Sequence, residues 1–174
     1  ERKVNNLMNT KTKKLSTVSM VLCGMFAALV AIGAFIQIPV PYMDYFTLQF
    51  FFVLLAGLIL GADKGAISVG CYVLLGLVGV PIFAAGGGIG YIFRPSFGYL
   101  VGFIVSAYVT GKVCEKLKAS YKNYLLACLA GFVVTYAIGI VYKFIILNFY
   151  AHTPATLGVI FLSCFPLDMP GDFV

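Results

Sequence analysis

Long apolar runs alternate with short polar breaks along this chain, and the breaks define its elements. Residues 17–37 contain no charged side chain. At about 1.5 Å per residue, a helix over that run is roughly 30 Å long, the thickness of a bilayer's hydrocarbon core. Further apolar runs cover about 46–60, 66–80, 98–111 and 124–147, and each predicts a membrane-crossing helix, the form in which a backbone in lipid satisfies its own hydrogen bonds. The runs at 46–60 and 66–80 fall short of twenty residues and are expected to borrow flanking loop residues. Pro39 and Pro41, with Asp44, turn the chain after the first run. Gly61-Ala-Asp-Lys-Gly65 is a short turn, and the stretch 112–123 is a linker with four lysines and Glu115. The stretch 81–97 holds Pro81, Gly86, Gly87, Gly88, Gly90, Tyr91, Arg94 and Pro95, a mixture that no plain span contains. The expected fold class is an all-α integral membrane protein, with a polar tail over 1–16 and a membrane domain over 17–174.

Composition agrees with that pattern. The chain is 61% apolar and 10% charged, with a mean hydropathy of +1.02, against roughly 45–50% and about 25% in soluble domains. Its net charge of +6 does not form a nucleic-acid patch, because the basic residues gather at the ends of apolar runs. They set topology instead. The tail, the 61–65 turn and the 112–123 linker carry ten of the twelve Lys and Arg, and Arg94 and Lys143 lie on the other face. Short cytoplasmic loops collect such residues, so the N-terminus is expected in the cytoplasm, with the Gly-rich stretch and the segment 149–174 outside. A cleaved signal peptide is not expected, since the first run exceeds the 7–15 residues of an h-region. Five cysteines (Cys23, Cys71, Cys114, Cys128, Cys164) form no C-x-x-C pair and have no neighbouring His, so neither zinc nor a disulfide framework is indicated.

Small residues mark helix contacts, because helices in lipid associate by close packing. Gly24, Ala27, Ala31 and Ala34 lie within about 80° of one another on a helical wheel. Gly98, Gly102, Ser106 and Thr110 recur at every fourth position. Both stripes suit helix seating within the chain, and the first also suits docking of a separate membrane partner.

Charges in or beside apolar spans are costly and draw attention to function. Arg94 follows the glycines of the 86–90 stretch; it can grip a carboxylate with two parallel hydrogen bonds, or sit in water or against a lipid headgroup. Lys143 lies near the end of its span, where it can reach a ligand or simply snorkel to the interface. Asp172, after Pro170-Gly171, suits a helix N-cap and equally an acceptor for a ligand amide or urea. Gln49 must face the interior to find a partner. Tyr42, Tyr45 and Tyr91 on external segments can wall an apolar pocket. His152 stands alone and receives no role. No nucleophile with its base, paired carboxylates or metal cluster is visible, so enzyme activity is not expected. The phosphate-loop pattern G-x-x-x-x-G-K-[ST] is absent.

A family resemblance emerges from the ordered series Phe26-Ala-Ala-Leu-Val-Ala31, Thr47-Leu-Gln49, Leu54-Leu-Ala-Gly-Leu-Ile-Leu-Gly61, Leu75-Gly-Leu-Val-Gly-Val-Pro81, Gly86-Gly-Gly-Ile-Gly-Tyr91 and Pro95-Ser-Phe-Gly-Tyr-Leu-Val-Gly-Phe103. The series resembles the BioY family, the biotin-specific S components of energy-coupling factor (ECF) transporters, from about Lys14 to the end of the chain. The resemblance implies a six-helix S-component fold in a prokaryotic plasma membrane and an external pocket that captures biotin. It further implies a membrane coupling subunit and two cytoplasmic ATPase subunits as partners, with ATP used there and no cofactor in this chain. It implies that Ala27 and Ala31, as an A-x-x-x-A pair, dock the coupling subunit. The expected substrate contacts are Arg94, Asp172, Tyr91, Gly86, Gly87, Gly88, Gly90, Gln49, Tyr42 and Lys143. Family chains continue through G-D-x-x-K into a sixth helix, whereas this sequence stops at Gly171-Asp-Phe-Val174, so the expectation is a chain truncated before that helix. The alternatives are an S component for another vitamin, or a membrane scaffold that transports nothing.

Overall fold

The computed structural model of the chain describes residues 16–38 and 46–150. Five α-helices follow one another: α1 (Thr17–Phe35), α2 (Gln49–Leu60), α3 (Ala62–Val78), α4 (Phe97–Lys116) and α5 (Tyr121–Ile145). A two-residue antiparallel ladder, β1 (Gln37–Ile38) with β2 (Phe46–Thr47), joins α1 to α2. A short 3₁₀ helix, Ile89–Phe93, lies between α3 and α4, and a π turn, Ile146–Tyr150, extends α5. The predicted tail, the turn around Asp44 and the segment 151–174 lie outside the described residues.

Local chemistry explains the boundaries. Ser16 caps α1 by accepting the Ser19 amide at 3.2 Å. The five-residue turn expected at 61–65 is a single residue. Gly61, with φ of 82°, ends α2 and starts α3, so Asp63 and Lys64 belong to the first turn of α3, where an acidic side chain suits the helix dipole. The first amide of α3 takes its cap from another helix: Ala62 N–H donates to Glu115 Oε1 at 2.9 Å. Helix α3 ends at Gly79 in the left-handed region, φ 117°, with Val80 N–H returning to Leu75 O at 3.2 Å. Helix α4 runs past Gly111 through Lys112, Glu115 and Lys116, residues read above as linker. Lysine is a good helix former, and its stem can lie along apolar surface while the amine reaches water.

Among the described residues, α1, α4 and the run Tyr121–Tyr150 are long and apolar enough to cross a membrane. Helix α2 has 12 residues, about 18 Å of length. Helix α4 is central and packs against α2, α3 and α5, while α1 packs against α2 and α3. Phe26, Val30, Val53, Val69, Tyr72 and Phe83 anchor the core between them. The outward faces expose Val18, Leu74, Val78, Val133 and other large apolar side chains, as expected of a surface that meets lipid.

The stripe Gly98, Gly102, Ser106, Thr110 is buried against α5. A Cβ on Gly98 would collide with Tyr142, and one on Gly102 would lie 3.0 Å from Thr135 O. Gly131 of α5 faces back, where a Cβ would lie 2.7 Å from Ser106 Oγ and strike Thr110 Oγ1. This stripe seats α5 within the chain.

Candidate functional site

The start of α2, the C-terminal part of α3, the glycine-rich connection and the end of α5 meet at one end of the bundle. Gln49, 4% exposed, opens α2 and donates from Nε2 to Tyr72 Oη of α3 at 3.0 Å. Tyr72, fully buried, donates that hydroxyl to the Ile82 carbonyl at 3.1 Å. A side-chain relay therefore fastens the connection to two helices. Next along the chain, Phe83 and Gly86 exchange backbone hydrogen bonds of 2.9 and 3.1 Å in a tight turn. The Phe83 ring, 1% exposed, occupies the space that a side chain on Gly76 would fill. It sits edge-on to Tyr72 at 5.5 Å and tilted against Tyr91 at 4.6 Å.

The glycines serve different ends. Gly86 and Gly88 hold positive φ of 111° and 103°, a region that side chains disfavour. The Gly88 amide donates to Gly76 O of α3 at 2.7 Å, so the Gly86 amide is engaged within the loop and the Gly88 amide by α3. At Gly87 the backbone passes so close to Val80 O that a Cβ would overlap it, whereas Gly90 has nothing within 4 Å of that position.

Tyr91 is buried, and the exposed Arg94 lays its guanidinium over the Tyr91 ring, 5.2 Å from the centroid. That cation–π contact gives the side chain a favoured orientation and uses the face of the ring, not the guanidinium N–H groups. From α5, Tyr142 Oη donates to Ile92 O at 2.6 Å and its ring lies 5.8 Å from Phe97, so the far end of the connection is tied down as well. Lys143 is half-buried on the next position of α5. An apolar groove of about 370 Å³ runs along α5, lined by Ala137, Ile138, Val141, Tyr142 and Ile145.

The structure thus gathers Gln49, Tyr91, Arg94 and the glycines 86, 87, 88 and 90 on or beside one fastened segment. Tyr42 and Asp172 lie outside the described residues. Ala27 and Ala31 are elsewhere, on α1: Ala27 is buried in the chain's own core and Ala31 is half-buried against it, while Gly24 and Ala28 are exposed. Sequence reasoning missed Tyr72, Phe83 and Tyr142. For the two tyrosines a signal existed, since a Tyr hydroxyl within an apolar span must find an acceptor. No group of three or more His, Cys, Asp or Glu able to hold a metal occurs among the described residues.

The BioY family model matches residues 8–174. The chain belongs to the BioY family. Among curated BioY proteins, the probable biotin transporter BioY of Lysinibacillus sphaericus is 41% identical over 162 residues, covering 92% of this chain and 82% of its own length. The biotin transporter BioY of Thermotoga maritima is 43% identical over 134 residues, 76% of each chain. A solved structure, the S-component for biotin from an ECF-type ABC transporter, superposes with a TM-score of 0.76 at 23% identity, over 93% of this chain and 87% of that one. The five-helix arrangement described above is therefore a BioY-type, S-component fold.

Proposed function

We propose that this chain is the substrate-binding membrane subunit of an ATP-driven vitamin uptake system and captures biotin from outside the cell. The observation that carries the reading is membership of the BioY family, whose curated relatives are named biotin transporters. The chemistry of the fastened connection is compatible with it. Biotin offers a carboxylate that suits Arg94 or Lys143, ureido N–H groups that suit a carboxylate such as Asp172, and apolar rings that suit Tyr91 and Tyr42. Gln49 and the glycines 86, 87, 88 and 90 complete the proposed contact set.

The same proposal includes a six-helix plan, of which five helices are described, and a cytoplasmic N-terminus, supported by the distribution of Lys and Arg. It also includes partners: a membrane coupling subunit and two cytoplasmic ATPases that supply the energy. Docking of the coupling subunit through Ala27 and Ala31 of α1 belongs to the same proposal; Ala31 is half-buried beside the exposed Gly24 and Ala28, while Ala27 is buried against the chain's own core. Labelled biotin binding to purified protein, with Arg94→Ala and Asp172→Ala variants and competition by unlabelled thiamine and riboflavin, tests the reading. Saturable binding that unlabelled biotin alone displaces, and that both variants weaken, is expected. No saturable biotin binding would overturn the function, and unchanged binding in both variants would remove those residues from the site.

A further inference from the structure

At the end of the bundle opposite the glycine-rich connection, the described residues carry more positive than negative charge. Lys112 and Lys116 lie on the last turns of α4, Lys118 in the turn, and Lys122 on the first turn of α5, with Lys64 of α3 on the same face. The described acids there are Asp63 and Glu115. Glu115 is engaged: one oxygen takes the Ala62 amide at 2.9 Å and the other meets Lys112 at 3.5 Å. Lys116, Lys118 and Lys122 are exposed.

The turn that carries them is built. Asn123 Nδ2 donates to the Lys118 carbonyl at 2.8 Å, and the Asn123 and Tyr124 amides both return to Ser120 O, at 3.0 and 3.1 Å. Aromatic and apolar side chains border the charges on the lipid side: Tyr121 is 84% exposed, and Tyr108, Tyr124, Leu117 and Leu125 are also exposed. Lys112 lies 6.0 Å above the Tyr108 ring. Tyrosines at headgroup level with lysines just beyond them match a layer of phosphate above hydrocarbon. An acidic protein surface would satisfy the lysines, but it would leave the adjoining ring of tyrosine and leucine without an apolar counterpart.

We infer that the α4–α5 turn is a binding site for anionic phospholipid headgroups, with Lys116, Lys118 and Lys122 on the phosphates and Tyr121 at the interface. The inference rests on the membrane-spanning reading of α4 and α5 and is independent of biotin binding.

The chain has no tryptophan, so Tyr121→Trp places a single fluorophore at the turn, and Val78→Trp, also 84% exposed, places one at the opposite end. Each full-length reporter is reconstituted into bilayers with brominated phosphatidylglycerol or brominated phosphatidylcholine, and quenching gives the relative binding constant of the two lipids. At position 121 the anionic lipid is expected to win by about tenfold or more at low salt, since each lysine near the surface contributes roughly fivefold. At position 78 the ratio is expected near one. Lys116→Gln, Lys118→Gln and Lys122→Gln together should bring the ratio at 121 toward one, and the corresponding Lys→Arg triple should retain it, which separates charge from fold. Equal quenching at position 121, an equal preference at both reporters, or a preference that survives the Gln triple would each overturn the site. Biotin binding, measured on the same preparations, stands or falls separately.

Discussion

Replacing Tyr72 with Phe deletes one oxygen atom and, with it, two hydrogen bonds. The hydroxyl accepts from Gln49 Nε2 and donates to the Ile82 carbonyl, so its loss leaves a buried amide and a carbonyl of the glycine-rich connection without these partners. Interhelical hydrogen bonds in membrane proteins average about 0.6 kcal/mol and reach about 1.7. Two such bonds therefore predict a loss of about 1–3 kcal/mol for Tyr72→Phe. Gln49→Met, close in shape, removes one bond and leaves the hydroxyl on Ile82 O, so it should cost about 0.5–1.5 kcal/mol. The double variant should cost less than the sum of the two, because the Gln49 contact cannot be lost twice. The assay is unfolding of the purified protein in detergent as a function of added denaturing surfactant, with biotin binding followed in parallel. Since Ile82 enters the connection that carries Tyr91 and Arg94, Tyr72→Phe should also weaken biotin binding more than Gln49→Met does. If Gln49→Met proves as costly as Tyr72→Phe, or if the two effects simply add, the hydroxyl is not the shared node and the relay is wrong.

Other positions give sharp contrasts. Gly131→Ala should destabilise the protein by about 1–3 kcal/mol, because the new methyl meets Ser106 Oγ and Thr110 Oγ1 across the α4–α5 seam; Gly24→Ala, with no described residue within 4 Å of the new methyl, should be neutral or gain up to about 1 kcal/mol of helix propensity. Thermal unfolding of the pair checks this, and equal effects would refute the seam. Thr135→Val should be tolerated, since its buried hydroxyl has no partner among the described residues, whereas Thr110→Val removes a bond to Ala127 O and should cost about 0.5–1 kcal/mol; the same melts decide. Tyr142→Phe frees the Ile92 carbonyl and should weaken biotin binding several-fold while lowering stability by only about 0.6 kcal/mol; unchanged binding would detach α5 from the site.

Each apolar run holds a helix, and for 17–37, 98–111 and 124–147 that helix is also long enough to cross a membrane. Of the two short runs expected to borrow flanking residues, α3 takes in 62–65, whereas α2 begins only at Gln49 and stays at 12 residues. Their ends were harder to read. Asp63 and Lys64 look like a loop in sequence, yet they form a helix start once Glu115, more than fifty residues away, caps Ala62. Lys112 and Lys116 look like a linker, yet they continue α4 beyond its apolar part. Gln49 announced that it needed a partner, but Tyr72 could be named only once α2 and α3 were packed. The A-x-x-x-A pair shows the converse limit. A wheel places Ala27 and Ala31 on one stripe, but which edge of that stripe faces the core depends on neighbouring helices, and the structure turns Ala27 inward.

The unequal helix lengths give the site its character. Helix α1 has 19 residues and α2 has 12, a difference of about 10 Å at 1.5 Å per residue. A non-helical segment beside a short helix would expose backbone polar groups to lipid, and such backbone is stable at that depth only where protein buries it. The connection after α3 meets that requirement. Phe83 is tucked over Gly76 where no side chain obstructs it, the Ile82 and Ile92 carbonyls each receive a tyrosine hydroxyl, and the Gly86 and Gly88 amides are satisfied within the loop or by α3. Tyr91 packs against Phe83 at 4.6 Å and carries the Arg94 guanidinium 5.2 Å from its ring centroid, which gives the exposed cation a favoured seat on the connection. In the proposed function a carboxylate at Arg94 would meet a side chain that already favours this seat, which lowers the side-chain entropy that binding must overcome.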